Sequence, residues 1–244
     1  MIDCLIDSGN SRVKFAIHQN EQWQYLSAVN FEHPQFVEQC AQILQGHSFD
    51  KIYLANVSKG KRAEQLELFL AQTTLPIHRI NTQAQLGNLK IAYPEPKQLG
   101  VDRFLSLLSA SAESLPSIII SFGSALTIDV LTDDGQHLGG LIAPSPEFQW
   151  RSMQDHFPGL FPELGLVQDL AHNTADALTS GIALQTISLI ERVIAANNKT
   201  GNARIFLTGG AAKQWLDKLP AQCTYVPDIV FHGMHCYITL NTHE

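Results

Sequence analysis

"LIDSGNSRVKFAI" at residues 5–17 and "IISFGSALTIDVL" at residues 119–131 share one plan. Each brings an apolar run to a small polar cluster, turns at a glycine and leaves as a second half-apolar run. That pattern predicts a strand, a tight turn and a returning strand. Aligning Gly9 with Gly123 sets the two copies almost half of the 244-residue chain apart, with Asp7 in one matched by Ser121 in the other.

The flanking segments repeat in the same order. In the first half, strands are predicted at 2–6, 13–17 and 23–28, a helix at 34–44, a buried strand at 51–57 and an amphipathic helix at 61–72. In the second, strands at 117–121, 126–131 and 137–142 (the last two joined by the turn signal Asp134-Gly135) precede helical stretches through 146–196 and a strand at 204–208. A helix is expected from "AAKQWLDKL" after it. Three strands, a helix, a strand and a helix in both halves argue for a duplication. The expected organisation is an α/β protein of two βββαβα halves, 1–115 and 116–244, with a nucleotide cleft between them faced by the tight turns.

With 23 acidic and 16 basic side chains the formal net charge is −7, which opposes a phosphate backbone and argues against general nucleic-acid binding. No secretory signal pattern opens the chain and no apolar run approaches the ~20 residues of a membrane span, so a cytoplasmic protein is expected. Cys4, Cys40, Cys223 and Cys236 lack CxxC spacing, as free thiols of a reducing compartment would.

Turns that expose backbone N–H groups at strand ends make concave sites for phosphate oxygens, and Thr208-Gly209-Gly210 offers a third such place. The common P-loop, the G-x-G-x-x-G fingerprint and the kinase motif set are all missing. Asp7 ends the first strand, where a carboxylate either holds hydrated Mg²⁺ against phosphates or bonds its own turn. Asn10 and Ser11 add polar groups, and Lys14 is either a phosphate contact or a solvated side chain.

In "YPEPKQLGVDRFLSLLSASA", Tyr93 precedes a proline-broken loop and Gly100 enters a helix with Asp102 in its first turn. Asp102 either complements the helix dipole or accepts a substrate hydroxyl's proton, with Arg103 gripping an anionic substrate group. Asp129 reads as a second acid for water or metal near the phosphates or as a solvated strand-edge residue. Asn173 or Thr174 caps a long helix at 175–196, Thr174 being also a candidate ligand contact. His232, His235 and Cys236 have helical spacing; three candidate ligands are few for a metal, and a helix surface is the preferred reading. No G-x-S-x-G elbow exists, and Trp23, Trp150 and Trp215 read as core or interface aromatics.

"DSGNSRVK", "GVDR", "FGSALTID", "GGLIAP" and "NTADALTSG" together resemble the ordered motifs of the type III pantothenate kinases, in the actin-like (ribonuclease H-like), sugar-kinase and heat-shock-protein ATPase superfamily. The resemblance implies ATP-dependent phosphorylation of pantothenate at its terminal hydroxyl, the first step towards coenzyme A. It assigns Asp7, Ser8, Gly9, Asn10, Ser11, Arg12, Val13, Lys14 and Ser124 to ATP, with Asp7 also serving Mg²⁺. Tyr93, Gly100, Val101, Asp102, Arg103 and Thr174 go to pantothenate, and Asp102 to proton acceptance. It further implies a homodimer, whose partner subunit contributes near the pantothenate pocket, and a monovalent cation, K⁺ or NH₄⁺. At the cation position the family's Asp is Ser121 here, a neutral oxygen in place of a charge, so weak K⁺ dependence is expected. Ser124 stands for the family's Thr and Ser145 for its Gly. Two other readings compete: a nucleotide-binding regulator of this fold without turnover, and a kinase for another small hydroxy acid.

Overall fold

The computed structural model describes residues 1–157, 159 and 163–242. Strand β1 (Ile2–Ser8) returns antiparallel as β2 (Arg12–Gln19), which pairs with β3 (Gln22–Asn30). Helix α1 (Phe36–Gln45) leads to β4 (Lys51–Asn56), parallel to β1, and α2 (Lys61–Leu70) leads to β5 (Ile77–Arg79). A small hairpin, β6 (Gln85–Leu86) and β7 (Leu89–Lys90), precedes α3 (Val101–Ser111).

The second set follows the same course. Strands β8 (Ser117–Phe122), β9 (Ala125–Leu131) and β10 (His137–Pro144) are followed by α4 (Pro146–His156), α5 (Thr174–Asn197), β11 (Arg204–Thr208), β12 (Cys223–Tyr225) and α6 (Ile229–Thr242). The two five-stranded sheets have orders β3-β2-β1-β4-β5 and β10-β9-β8-β11-β12, one topology used twice. The βββαβα plan is thus present in both halves, with 3₁₀ turns in place of the last helix of the second.

Three details differ from the sequence reading. Each sheet carries a fifth strand, β5 and β12, of only three residues, too short to show alternation. Residues 212–218 wind as 3₁₀ turns, so no α-helix N-terminus follows Gly210. The helical stretches expected through 146–196 are α4 and α5, the second capped at Asn173 as expected, but residues 164–173 before it are non-helical.

The chain forms two compact units. Unit 1 comprises Met1–Ser114, Asp133–His137 and Asp228–Glu244; unit 2 comprises Leu115–Thr132 and Leu138–Pro227. In unit 1 alternate residues of the hairpin, Cys4, Ile6, Val13 and Phe15, join Phe36 and Cys40 of α1 and Leu66 and Phe69 of α2 in one core. The intervening residues put Asp3, Asp7, Lys14 and His18 on the other face, where Lys14 meets Asp228 and His18 meets His235 of α6. In unit 2, Ile118, Ile120, Leu126 and Ile128 pack with Ala183, Ile190 and Ile194 of α5 and with Trp215. α5 has the length and mean hydropathy of a marginal membrane span, and its place in that core accounts for its apolar face.

Candidate active site

Asp7 is 8% exposed near the end of β1, and its register partner across the hairpin is Lys14. Lys14 Nζ lies 2.6 Å from Asp228 Oδ1, just before α6 begins. Burial pushes the Asp7 carboxyl up to about 6; Lys14 draws it back down, and the Asp102 and Asp228 carboxylates push it up again. Acids from β1, from α3 and from the approach to α6 therefore gather near one ammonium. A buried carboxylate whose charge is disfavoured in this way gains from any cation brought beside it, and hard oxygen donors suit Mg²⁺.

The turn after Asp7 is closed by the Gly9 N–H donating to the Arg12 carbonyl at 3.1 Å, leaving Asn10, Ser11 and Arg12 exposed. The loop after β4 braces it. Val57 N–H donates to the Ser8 carbonyl at 3.0 Å, and the Ser8 and Ser58 hydroxyls are 3.4 Å apart. Ser58 is in turn held by Asn56 Oδ1, which accepts from its N–H at 2.9 Å and its hydroxyl at 2.7 Å. The Val13 side chain is in the core, so only its backbone can serve a ligand.

On α3, one Asp102 oxygen accepts the Arg103 N–H at 2.8 Å, so the carboxylate folds back over its own helix start. A Cβ on Gly100 would stand 2.5 Å from that oxygen; glycine makes the fold-back possible. Arg103 is buried, donates from Nη1 to the Tyr93 hydroxyl at 3.3 Å, and lies 5.8 Å from the Tyr93 ring centre. Behind Tyr93 the buried His137 ring lies parallel at 6.1 Å, its Nδ1 accepting the Ala92 N–H.

Unit 2 carries the other candidates. Its turn is a residue shorter, the Gly123 N–H donating to the Ala125 carbonyl at 3.1 Å, with Ser124 exposed. Ser121 pairs across the hairpin with Thr127, so two hydroxyls stand where the first copy has Asp7 and Lys14. Gly209, at φ +98°, lies against the Phe122 carbonyl, where a Cβ would come within 2.4 Å. The third glycine turn therefore adjoins the end of β8. Asp129 is buried opposite Ile119, which excludes the solvated reading. Asn173 caps α5, accepting the Asp176 N–H at 2.9 Å, and Thr174 is exposed as the first helical residue.

A family model described as type III pantothenate kinase matches residues 4–196. The chain belongs to the type III pantothenate kinase family. Among proteins of that name, one from Stenotrophomonas maltophilia is 34% identical over 236 residues, covering 96% of each chain. One from Xanthomonas oryzae is 32% identical over 242 residues, covering 98% of each. A Campylobacter jejuni crystal structure described as a Baf family transcriptional activator superposes with a TM-score of 0.63 at 20% identity, covering 99% of this chain and 100% of that one. The ethanolamine utilization protein EutJ from Carboxydothermus hydrogenoformans gives 0.52 at 9% identity, covering 97% and 90%; both show likeness of fold.

For a member of this family, sequence reasoning missed Asp228, His137 and the Asn56–Ser58 brace. All reach the site across long sequence separations, and no local pattern marks them. The histidine reading needs correction as well. His232 is exposed with its ring edge on Trp23, but His235 turns inward to His18 at 3.1 Å, so the trio is not one helix surface. Among the described residues no group of three or more His, Cys, Asp or Glu could hold a metal.

Proposed function

We propose that the protein transfers the γ-phosphoryl group of ATP to the terminal hydroxyl of pantothenate, opening coenzyme A synthesis, with Asp102 accepting the hydroxyl proton. The observation that carries this reading is the gathering of Asp7, Lys14, Asp102 and Arg103 in one unit of a chain from this family.

The division of labour follows from the side chains. Backbone N–H groups at Asn10 and Ser11, in a turn that Gly9 closes and that Ser8 and Arg12 flank, cradle phosphate oxygens, and Lys14 adds a point charge. A divalent cation bound with the triphosphate supplies neutralisation of its charge, and Asp7 is the carboxylate that would hold it. Arg103 binds the pantothenate carboxylate, its plane fixed by the Tyr93 hydroxyl. Asp102, held at the helix start by the Arg103 N–H, is a weak base. A loose phosphoryl transition state asks little of the base, since positioning and charge neutralisation dominate. Gly100 and Val101 shape this end of the pantothenate site. On family likeness, Ser124 serves ATP, Thr174 serves pantothenate, and Ser121 occupies the monovalent-cation position. The cytoplasm suits four cysteines that are all free thiols.

Purified protein with ATP, Mg²⁺ and pantothenate is expected to yield 4'-phosphopantothenate, and Asp102→Asn to abolish turnover while leaving the thermal transition in place. Wild-type protein that binds ATP but leaves pantothenate unphosphorylated, in K⁺ and NH₄⁺ buffers alike, would sink the reading. A screen of small hydroxy acids would then separate a different kinase from a regulator without turnover.

A further inference from the structure

We propose that Asp228 is a positioning residue for phosphoryl transfer, mounting the Lys14 ammonium at the mouth of the first turn so that its remaining protons face the triphosphate. This rests on the kinase reading above and adds to it a residue that no phosphate-binding motif contains.

The 2.6 Å contact between Lys14 Nζ and Asp228 Oδ1 joins two partly buried side chains, 21% and 22% exposed. An ammonium has three protons; one spent on Asp228 leaves two for phosphate oxygens. Lysine sits on a flexible four-carbon stem, so an unheld ammonium loses rotamer freedom each time a nucleotide binds. A carboxylate that is itself immobile takes that loss in advance.

Asp228 is immobile for visible reasons. Its backbone is left-handed, at φ +52°, a conformation a non-glycine residue keeps only when its surroundings enforce it. Its carbonyl accepts the Phe231 N–H at 2.9 Å, tying it to the first turn of α6. Phe231 and Met234 of that helix are fully buried, and Gly233 lies so close to Leu105 of α3 that a Cβ would stand 2.0 Å from its carbonyl. A second tie, His18 Nε2 to His235 Nδ1 at 3.1 Å, fastens α6 to the same face of β2 four residues beyond Lys14. The helix is thus a fixed frame and Asp228 the bracket at its end.

The opposite role is chemically distinct: a carboxylate near the phosphates could repel them and compete for Lys14, and its loss would then tighten nucleotide binding. Calorimetry with ATP, ADP and adenosine on the full-length protein separates the two, using Asp228→Asn, Lys14→Ala and the double variant. Asparagine matches the size of Asp and tolerates the left-handed backbone. Asp228→Asn is expected to weaken ATP and ADP on the order of tenfold, as loss of a charge-assisted hydrogen bond does, while adenosine affinity and the KM for pantothenate hold. In the double variant the Asp228 change is expected to add nothing to Lys14→Ala. Unchanged or tighter ATP binding in Asp228→Asn, or fully additive losses, overturns the proposal. If Asp228→Asn does not fold, Asp228→Gly, which relaxes the backbone, carries the same test. Should the wild type bind ATP without phosphorylating pantothenate, the pantothenate reading fails while the ATP titrations still decide the role of Asp228.

Discussion

Asp7 illustrates how a single side chain can work against the fold that holds it. Its carboxyl titrates at about 6 in the folded protein against 3.8 for the free group, chiefly through burial. Between those values the folded state holds the extra proton, so stability falls as pH rises through the window and the cost is complete above about 6. Asp7→Asn removes that cost. Urea unfolding at pH 8 is expected to show the variant more stable by about 3 kcal/mol, with the gain shrinking as pH falls toward 3.8, and with kinase activity lost. A variant less stable than wild type at pH 8 would refute the account. Ser121 is the complementary case. With Thr127 opposite it, the second hairpin offers only neutral oxygens from this pair. Activity is therefore expected to change by less than about twofold between K⁺ and Na⁺ buffers, since a hydroxyl binds such ions weakly. Strong K⁺ activation that vanishes in Ser121→Ala would contradict this.

At the level of elements, the hairpins and α3 were legible because their signals are local. A short apolar run marked β1, alternation at Val13, Phe15 and Ile17 marked β2, and helical spacing after Gly100 marked α3, whose expected start and observed start at Val101 agree. What could not be read was the second reason for Gly100. It is the expected helix entry, its carbonyl accepting the Phe104 N–H at 3.0 Å, and its Cβ position is filled by the Asp102 carboxylate, so the residue shapes the proposed base as well as the helix start. Gly100→Ala is expected to leave far-ultraviolet dichroism unchanged and to lower kcat on the order of a hundredfold, as displacement of a reacting group by about an ångström does. Near-normal kcat would remove Gly100 from the site. β5 and β12 escaped detection because three-residue strands leave no periodic trace, while the helix expected after Gly210 forms as 3₁₀ turns at 212–218.

For the whole molecule, the exposed apolar side chains of unit 2 carry the main consequence. Leu138, Leu141 and Ile142 of β10 are 58%, 46% and 67% exposed, and Leu164, Leu166 and Leu170 reach 67%, 72% and 83%. A contiguous patch of large apolar side chains left to water marks an interaction surface. The family resemblance implies a homodimer, and the exposed side chains of β10 are the proposed place for its interface. Light scattering is expected to give twice the 27.0 kDa chain mass, and Ile142→Glu to shift the protein towards monomer. A monomeric wild type at micromolar concentration would disprove it.

The amino-acid sequence by itself determined the duplicated strand-turn-strand plan, the α/β class and the family, because strand periodicity, glycine turns and ordered motifs are written in contiguous residues. It also marked Asp7, Lys14, Asp102 and Arg103 as the groups with chemistry to offer. Only the tertiary structure decided that Asp228 meets Lys14 and that His137 lies behind Tyr93. It alone placed the Asp102 and Asp228 carboxylates where they act on Asp7. Such contacts join residues far apart in the chain, and their energies arise from burial and from charge at short range, neither of which exists until the chain has folded.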